Sequence, residues 1–419
     1  MATLIKEIKM VFSDVTDNHN KVWYGKLFDN GDCLTEWGRI GYDLQSKEFP
    51  GAGESFLLKK QKEKERKGYT ELKTVNTNVT SSSAPIHNND LHSIAKNQLI
   101  KSSNPTLERL IKRFVDANIH KITSNTKITY NSTTGLFATP LGIVEQIGLD
   151  EAKDLLAQMA PMVRNNTFGS AADNLISKYL RLIPQSLGMG RFSAQSIIPD
   201  DNALQKQLDL IDSLESSYQA TQSAPATPNQ SAKPQEQVFE VDLDVLTDQN
   251  ERNRLEMYFE KSKKCQHGYD NVRVREIFKV KIHDMSKAFE HQTTPVKEVF
   301  HGSSQANALS ILKSGLKVSP PSTAAIAGKM MGNGLYGAIN STKSLGYTFG
   351  RWGQGGVGDS GWLWICDFGM GKIYETHYAT HLPHGYDSVW AKAGKSLQND
   401  ELVVYRNTQA NIKYLMEVK

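Results

Sequence analysis

Glu298-Val299-Phe300-His301-Gly302-Ser303 reads as a short β-like run that ends in a histidine and two small residues. Two later stretches also put one chemically able side chain at the edge of such a run: Gly332-Asn333-Gly334-Leu335-Tyr336 and Asn399-Asp400-Glu401-Leu402-Val403-Val404-Tyr405. Ile277–Ile282 and Trp362–Asp367 add further β-like runs between glycine-rich loops. Residues 238–419 are therefore expected to form a mixed, mainly antiparallel split sheet. Neither a P-loop nor a Gly-x-Gly-x-x-Gly opening a helix occurs, which excludes the doubly wound way of holding a dinucleotide. Singly, a His-Gly pair at a strand end is most often a satisfied structural histidine, and a tyrosine after Gly-x-Gly-Leu is most often core. As a set they suit a reaction through a sugar cation, which needs a carboxylate near the anomeric carbon and rigid groups around the leaving base.

In this order and spacing, His301, Tyr336 and Glu401 resemble the His-Tyr-Glu signature of the poly(ADP-ribose) polymerase branch of ADP-ribosyltransferases. Leu316-Lys317-Val318-Ser319-Pro320-Pro321, Ser341-Thr342-Lys343-Ser344-Leu345-Gly346-Tyr347 and Tyr386-Asp387-Ser388-Val389 extend the resemblance. It implies NAD+ as a consumed substrate, with no metal. The backbone of Gly302 would bracket the nicotinamide amide and Ser344 would add a hydroxyl. Tyr347 would stack on the ring and Tyr336 would face it from the other wall. His301, Ser303, Asn307 and Lys317 would hold the adenosine side. Lys343 and Met330 would lie toward the acceptor. Glu401 would stabilise the developing cation and orient an incoming hydroxyl, and its being glutamate favours chain elongation. Two residues depart from the family's pattern: Asn333 replaces a lysine, and Asn399 an aromatic residue near the acceptor.

Composition sets the frame. The chain has 419 residues, long enough for two to four domains, with 39% apolar and 22% charged residues, as in a globular protein with polar linkers. No stretch approaches the ~20 apolar residues of a membrane span. The N-terminus mixes charges too early for a secretory signal and reads as a first strand. Cys33, Cys265 and Cys366 are too scattered for a disulfide framework or zinc site, which points to an intracellular setting. A net charge of +4 does not announce a nucleic-acid binder, but Lys59–Lys67 holds six basic and two acidic residues.

Residues 1–73 read as a small β-rich unit with one helix. Val22–Phe28 and Leu34–Tyr42 are expected to pair through an Asp29-Asn30-Gly31-Asp32 turn, where Asn-Gly tolerates positive φ. Trp37-Gly38-Arg39 on the second strand, the following Gly-Tyr, and a helix over Phe56–Lys67 resemble a WGR domain. The resemblance implies docking to DNA ends or nicks, with Trp37, Arg39, Lys59 and Lys60 as contacts. Trp37 as hairpin core and Arg39 as a surface charge fit the residues equally well.

Residues 74–103 and 218–237 read as linkers from their Thr, Asn, Ser, Pro, Ala and Gln content. The first would let the N-terminal unit reorient. Residues 104–217 are helical by pattern. Asn104 or Thr106 would cap a helix with Leu107, Leu110, Ile111 and Phe114 on one face, and further apolar stripes lie at Leu149–Met159, Leu175–Leu182 and Leu204–Leu214. These strings resemble the family's helical regulatory domain.

The expected protein is thus multidomain α+β. It joins a WGR domain (1–73), an all-α regulatory domain (104–217) and a split-sheet ADP-ribosyltransferase domain (238–419). The expected function is NAD-dependent poly(ADP-ribosyl) transfer activated by DNA ends, with automodification, release of nicotinamide and a role in the DNA damage response. Its partners would be DNA and protein acceptors including itself, with no membrane. It would reside in the nucleus or, in a bacterium, in the cytoplasm or nucleoid. A mono-ADP-ribosyltransferase with the same pocket and a non-catalytic DNA-end scaffold are the competing readings.

Overall fold

The computed structural model describes residues 2–15, 17–40, 42–71, 91–126, 128–132, 136–139, 142–143, 145–185, 187, 190–222, 237–264, 268–318, 330–349 and 360–419. All structural statements below concern these residues. The expected linkers fall largely outside them, as do Ser319-Pro320-Pro321, Cys265 and most of the loop between Leu316 and Asn333. Two compact units emerge, 1–88 with 122–214 and 89–121 with 215–419.

The first unit contains β1 (Leu4–Asp14), β2 (His19–Phe28), β3 (Cys33–Arg39), β4 (Gln45–Phe49), helix α1 (Gly53–Glu65) and β5 (Thr70–Glu71). The strands form an antiparallel sheet in the order β4-β3-β2-β1-β5. The β2–β3 connection is the expected turn, with Gly31 at φ +83°. Helix α1 lays Leu57 on Ile8, Met10, Trp23, Leu27 and Cys33. Its other positions are mostly charged, so one leucine and its flanking aromatics hold it to the sheet.

The same unit includes α4 (Gln146–Arg164), α5 (Ser170–Leu182), α6 (Ala194–Ile197) and much of α7 (Asp201–Gln222). Each of the three later apolar stripes is one of these helices, with Leu156 and Met159 of α4 and Ile176 and Leu180 of α5 fully buried. Helix α5 is joined to β1: Val15 donates its backbone N–H to Ser177 Oγ at 3.1 Å and Arg181 donates to the Ser13 carbonyl at 3.0 Å. One expectation fails here. The region is not all-α, because β6 (Thr129–Asn131), β7 (Leu136–Thr139) and β8 (Gly142–Ile143) form a small antiparallel sheet. Thr and Tyr favour the pleated conformation.

The second unit opens with α2 (Leu91–Leu99), a helix inside the expected first linker, and the body of α3 (Pro105–Asn125). Asn104 caps α3, its Oδ1 accepting from Thr106 N at 2.9 Å, and Pro105 takes the first helical position, where no N–H is missed. Helix α3 buries Leu107, Leu110, Ile111 and Phe114, and Phe114 meets Trp362 edge-on at 5.0 Å. On its flank, Arg109 and Arg113 join Arg275 around the fully buried carboxylate of Glu417, at 3.2, 2.9 and 3.4 Å. A buried carboxylate without such partners would be strongly destabilising. The expected domain segments therefore follow sequence pattern, whereas the compact units divide the helical region between them.

The remaining elements of this unit are β9 (Val241–Val245), α8 (Gln249–Lys261), β10 (Val274–Ile282), α9 (His283–Ala288), β11 (Val296–Gly302), α10 (Ala308–Ser314), β12 (Leu335–Gly337), α11 (Ser341–Thr348), β13 (Gly361–Gly369), β14 (Ile373–Thr376), β15 (Ser388–Ala391), β16 (Glu401–Val404) and β17 (Ala410–Val418). They make two sheets, β11-β13-β17-β10-β9 and β12-β16-β15-β14, antiparallel except for the β14–β15 pair. A single bridge, Phe300 to Ala338, joins them. This is the expected mixed, split sheet. Strand β13 is buried on every residue but Asp367, which explains a sequence apolar everywhere else.

Candidate active site

The bridge between the sheets brings the three sequence strings together. His301 ends β11 and Tyr336 lies on β12, with His301 Nδ1 at 2.9 Å from the Tyr336 carbonyl. A carbonyl only accepts, so Nδ1 carries a proton and donates it to Tyr336. Glu401 opens β16, beside β12 and opposite Ala391 of β15.

Helix α11 supplies the other wall. Ser341 Oγ donates to the Phe259 carbonyl at 3.0 Å and Asn340 to the Ser262 carbonyl at 3.2 Å, fixing its start to the end of α8. Lys343, Ser344 and Tyr347 follow at helical spacing. Ser344 Oγ donates to the Phe300 carbonyl at 2.9 Å. With its proton spent there, it can meet an amide only as an acceptor.

Gly302 is required for a reason the sequence did not disclose. A Cβ there would lie 1.9 Å from the Ser344 carbonyl oxygen, an overlap with backbone. The missing side chain is consumed by the approach of α11 to β11, in addition to any approach by a ligand.

The Tyr336 hydroxyl donates to the Gly332 carbonyl at 2.7 Å and accepts from Met331 N at 2.9 Å. Tyr405 donates to the Met331 carbonyl. Burial holds the Tyr336 hydroxyl far above the ordinary phenol range, so it is a wall and a brace with no proton to give. Tyr405 went unnoticed in the sequence because its partner is a backbone carbonyl.

Glu401 is buried, and Lys343 Nζ sits 2.7 Å from its Oε1. Lys343 also donates to the Asn399 carbonyl at 3.3 Å. Glu401 Oε2, equally buried, has no hydrogen-bond partner. Burial pushes the carboxyl above the usual range and Lys343 pulls it back. A buried acceptor left unmatched is costly in a finished core, and here its carboxylate is near enough to Tyr336 and Tyr347 to help burial hold their hydroxyls protonated.

At the other end, Asn307 Nδ2 donates to Ser303 Oγ at 3.4 Å and Lys121 Nζ donates to Asn307 Oδ1 at 2.8 Å. Lys121 and Asn118 were not singled out from sequence. Both continue the apolar stripe of α3, and a polar residue on such a stripe signals a specific partner; Asn118 donates to the Ala306 carbonyl at 3.3 Å. Lys317 and Met330 are exposed, and the Met330 carbonyl accepts from Thr380 N at 3.1 Å.

The expected DNA contacts lie in the other compact unit. Trp37 is half-buried against the α1 face of the sheet. Arg39 donates to the Asn18 carbonyl at 3.1 Å and to Asn18 Oδ1 at 3.0 Å, and lies over the Phe192 ring. Lys60 pairs with Glu63 at 2.8 Å, while Lys59 is exposed.

The profile of the poly(ADP-ribose) polymerase catalytic domain matches residues 249–396. That range covers His301, Tyr336 and α11 and stops short of Glu401. Poly [ADP-ribose] polymerase 2 of Arabidopsis thaliana is 22% identical over 97% of this chain and 72% of its own length. A putative poly [ADP-ribose] polymerase-like protein, 100L, of Invertebrate iridescent virus 6 is 32% identical over 29% of this chain and 69% of its own. Poly [ADP-ribose] polymerase 1 of Gallus gallus is 24% identical over 67% of this chain, which spans 31% of that relative. With the split sheet and the His301–Tyr336–Glu401 arrangement, these matches establish that the chain belongs to the poly(ADP-ribose) polymerase family and is an NAD+ ADP-ribosyltransferase.

Proposed function

We propose that this protein transfers ADP-ribose units successively, building poly(ADP-ribose) on protein acceptors including itself, and that DNA ends or nicks stimulate it. The observation that carries the reading is the unmatched Oε2 of Glu401, held in place by Lys343 on its other oxygen. That oxygen fits a ribose 2′-hydroxyl. As the bond between the anomeric carbon and nicotinamide breaks, the base leaves with the electron pair and positive charge grows on the sugar. The carboxylate stabilises that charge, then takes the proton of the attacking acceptor hydroxyl.

The walls fit the leaving base. Gly302 and Ser344 offer backbone and hydroxyl groups to the amide, with Tyr347 and Tyr336 on either side of the ring. His301, Ser303 and Asn307 take the adenosine side, with Lys317 at the surface and Lys343 and Met330 toward the acceptor.

The DNA half rests on the other unit. Helix α1 presents an exposed Lys59 within a cationic run, a footprint suited to phosphates. Arg39 is already bonded to Asn18, so the lysines and the half-buried Trp37 carry that reading. Residence with DNA, in a nucleus or nucleoid, follows from it.

The test is incorporation of labelled NAD+ with and without nicked DNA, read on a denaturing gel. A ladder that grows with nicked DNA is expected. Equal incorporation removes the DNA half, and a single added unit removes the polymer half in favour of mono-ADP-ribosyl transfer.

A further inference from the structure

We infer that Tyr405 is a positioning residue for the transfer reaction: its hydroxyl, acting through the Met331–Gly332 turn, holds the Tyr336 ring in place as a wall of the nicotinamide site. The inference rests on the reading above that Tyr336 lines that site, and it gives Tyr405 no contact with the donor.

Two tyrosines from two strands grip one turn. From β12, the Tyr336 hydroxyl accepts from Met331 N at 2.9 Å and donates to the Gly332 carbonyl at 2.7 Å. From the end of β16, the Tyr405 hydroxyl donates to the Met331 carbonyl, which lies between those two contacts along the chain. Gly332 has φ +78° and no side chain to restrain it, so the orientation of the Met331–Gly332 peptide is set by what its polar groups bond to. Without the Tyr405 bond that peptide is free to rotate and to carry Met331 N and the Gly332 carbonyl away from the Tyr336 hydroxyl.

Tyr405 is itself well fixed. Its backbone N–H donates to Gln409 Oε1 at 3.1 Å. Gln409 is fully buried, and its Nε2 donates to the Gly369 and Asp387 carbonyls at 2.9 and 3.1 Å, at the end of β13 and the entry to β15. The Tyr405 ring packs against the cluster of Met331, Val389, Ala391 and Val403. Gly334 completes the fit, since a Cβ there would lie 2.5 Å from Val403 Cγ1 and 3.3 Å from the Tyr405 ring. Burial holds the Tyr405 hydroxyl above the ordinary phenol range, so it remains a donor.

A phenylalanine would fill the same apolar cluster, so the hydroxyl is what the position adds. Its one bond ends a single peptide away from the groups that brace Tyr336. A loosened Tyr336 ring would hold the pyridine ring less tightly in the ground state and the transition state alike, which raises KM and leaves kcat in place.

The test compares the full-length wild type with Tyr405→Phe, Tyr336→Phe and the double variant, by initial rates over a range of NAD+ and by binding of benzamide, which keeps the ring and amide of nicotinamide. Tyr405→Phe should raise KM for NAD+ and weaken benzamide binding about fivefold, the scale of one neutral hydrogen bond, with kcat within about twofold. Adding it to Tyr336→Phe should change little, because both hydroxyls act through one turn. A tyrosine that only supports the fold would lower the melting temperature, leave the benzamide affinity of the folded protein alone and multiply with Tyr336→Phe. Amide exchange at Met331, whose N–H the Tyr336 hydroxyl holds, should quicken about fivefold in Tyr405→Phe with no ligand present. Unchanged KM, benzamide affinity and Met331 exchange in Tyr405→Phe overturn the inference, as do losses that multiply in the double variant. Tyr336→Ala, which removes the ring, separates this failure from that of the wall itself: unchanged benzamide binding there removes the wall and the inference with it, whereas a loss there with none in Tyr405→Phe removes the inference alone.

Discussion

The Arg39 region and the Glu401 region are both strings of a few residues that resemble family motifs, yet their polar groups are in opposite states. Arg39 donates to the Asn18 carbonyl and Oδ1 and covers Phe192, so its charge is used within the unit. Glu401 is the more deeply buried and keeps an oxygen without a partner. A folded core pairs most of its buried polar atoms; among the described residues Glu401 Oε2 shares its unpaired state with Arg181 Nε and Asp201 Oδ1, and of the three it alone lies beside the His301 and Tyr336 strands. A motif alone does not separate these cases, and the hydrogen-bond inventory does.

The largest expected effect breaks the comparison at Glu401. Glu401→Gln keeps the shape and removes the charge that appears against the sugar cation. Transfer should fall by about 10²- to 10³-fold, the range for removing one preorganised electrostatic group. Affinity for a nicotinamide analogue should hold within a factor of about two, since the pocket walls are intact. A variant retaining a tenth of wild-type transfer would mean that the unmatched oxygen is no site.

Next comes Gly302→Ala. The added methyl would sit 1.9 Å from the Ser344 carbonyl, so α11 has to move. Thermal denaturation should show a loss of about 3 kcal/mol, the scale of overpacking against backbone. Binding of nicotinamide analogues should weaken in parallel, because Ser344 and Tyr347 ride on the displaced helix. Unchanged stability would place α11 farther from β11 than described.

Lys343→Met sharpens the comparison through pH. Burial raises the Glu401 carboxyl and Lys343 opposes that rise. The working form is ionised, so activity is lost as pH falls through the raised value. Without the ammonium the value rises further, and the acid limb of kcat/KM should move to higher pH. The converse shift, to lower pH, would mean that Lys343 does not stabilise the carboxylate.

The residues of the candidate site could be nominated from sequence because its parts are local. His301-Gly302, Tyr336 and Glu401 each lie at the edge of a strand whose apolar alternation the sequence displays, and α11 carries its three groups at helical spacing. What stayed hidden depends on partners distant in sequence. Glu401 and Lys343 are 58 positions apart, and nothing local pairs them. Lys121 reaches Asn307 from a helix whose apolar stripe announced packing without naming the surface packed. The β6–β8 sheet was lost among helical stripes because each strand is only two to four residues long. Trp37 fitted exposure and burial equally from sequence, and the buried leucine of α1, packed on the same sheet face, decided for partial burial.

The smallest expected effect lies at Arg39. Arg39→Ala removes two hydrogen bonds to Asn18 and the packing over Phe192. Being only half-buried, they should together stabilise the unit by about 1 kcal/mol. Asn18 sits at φ +55°, where the guanidinium helps hold the turn between β1 and β2. Melting should drop by a few degrees, while affinity for nicked DNA should stay within about twofold, against a clear loss on removing the exposed charge of Lys59. A tenfold loss of DNA affinity in Arg39→Ala, with melting unchanged, would reverse the assignment. The arginine would then leave Asn18 for a phosphate, and the two regions would share one logic, with polar groups held in reserve for a ligand.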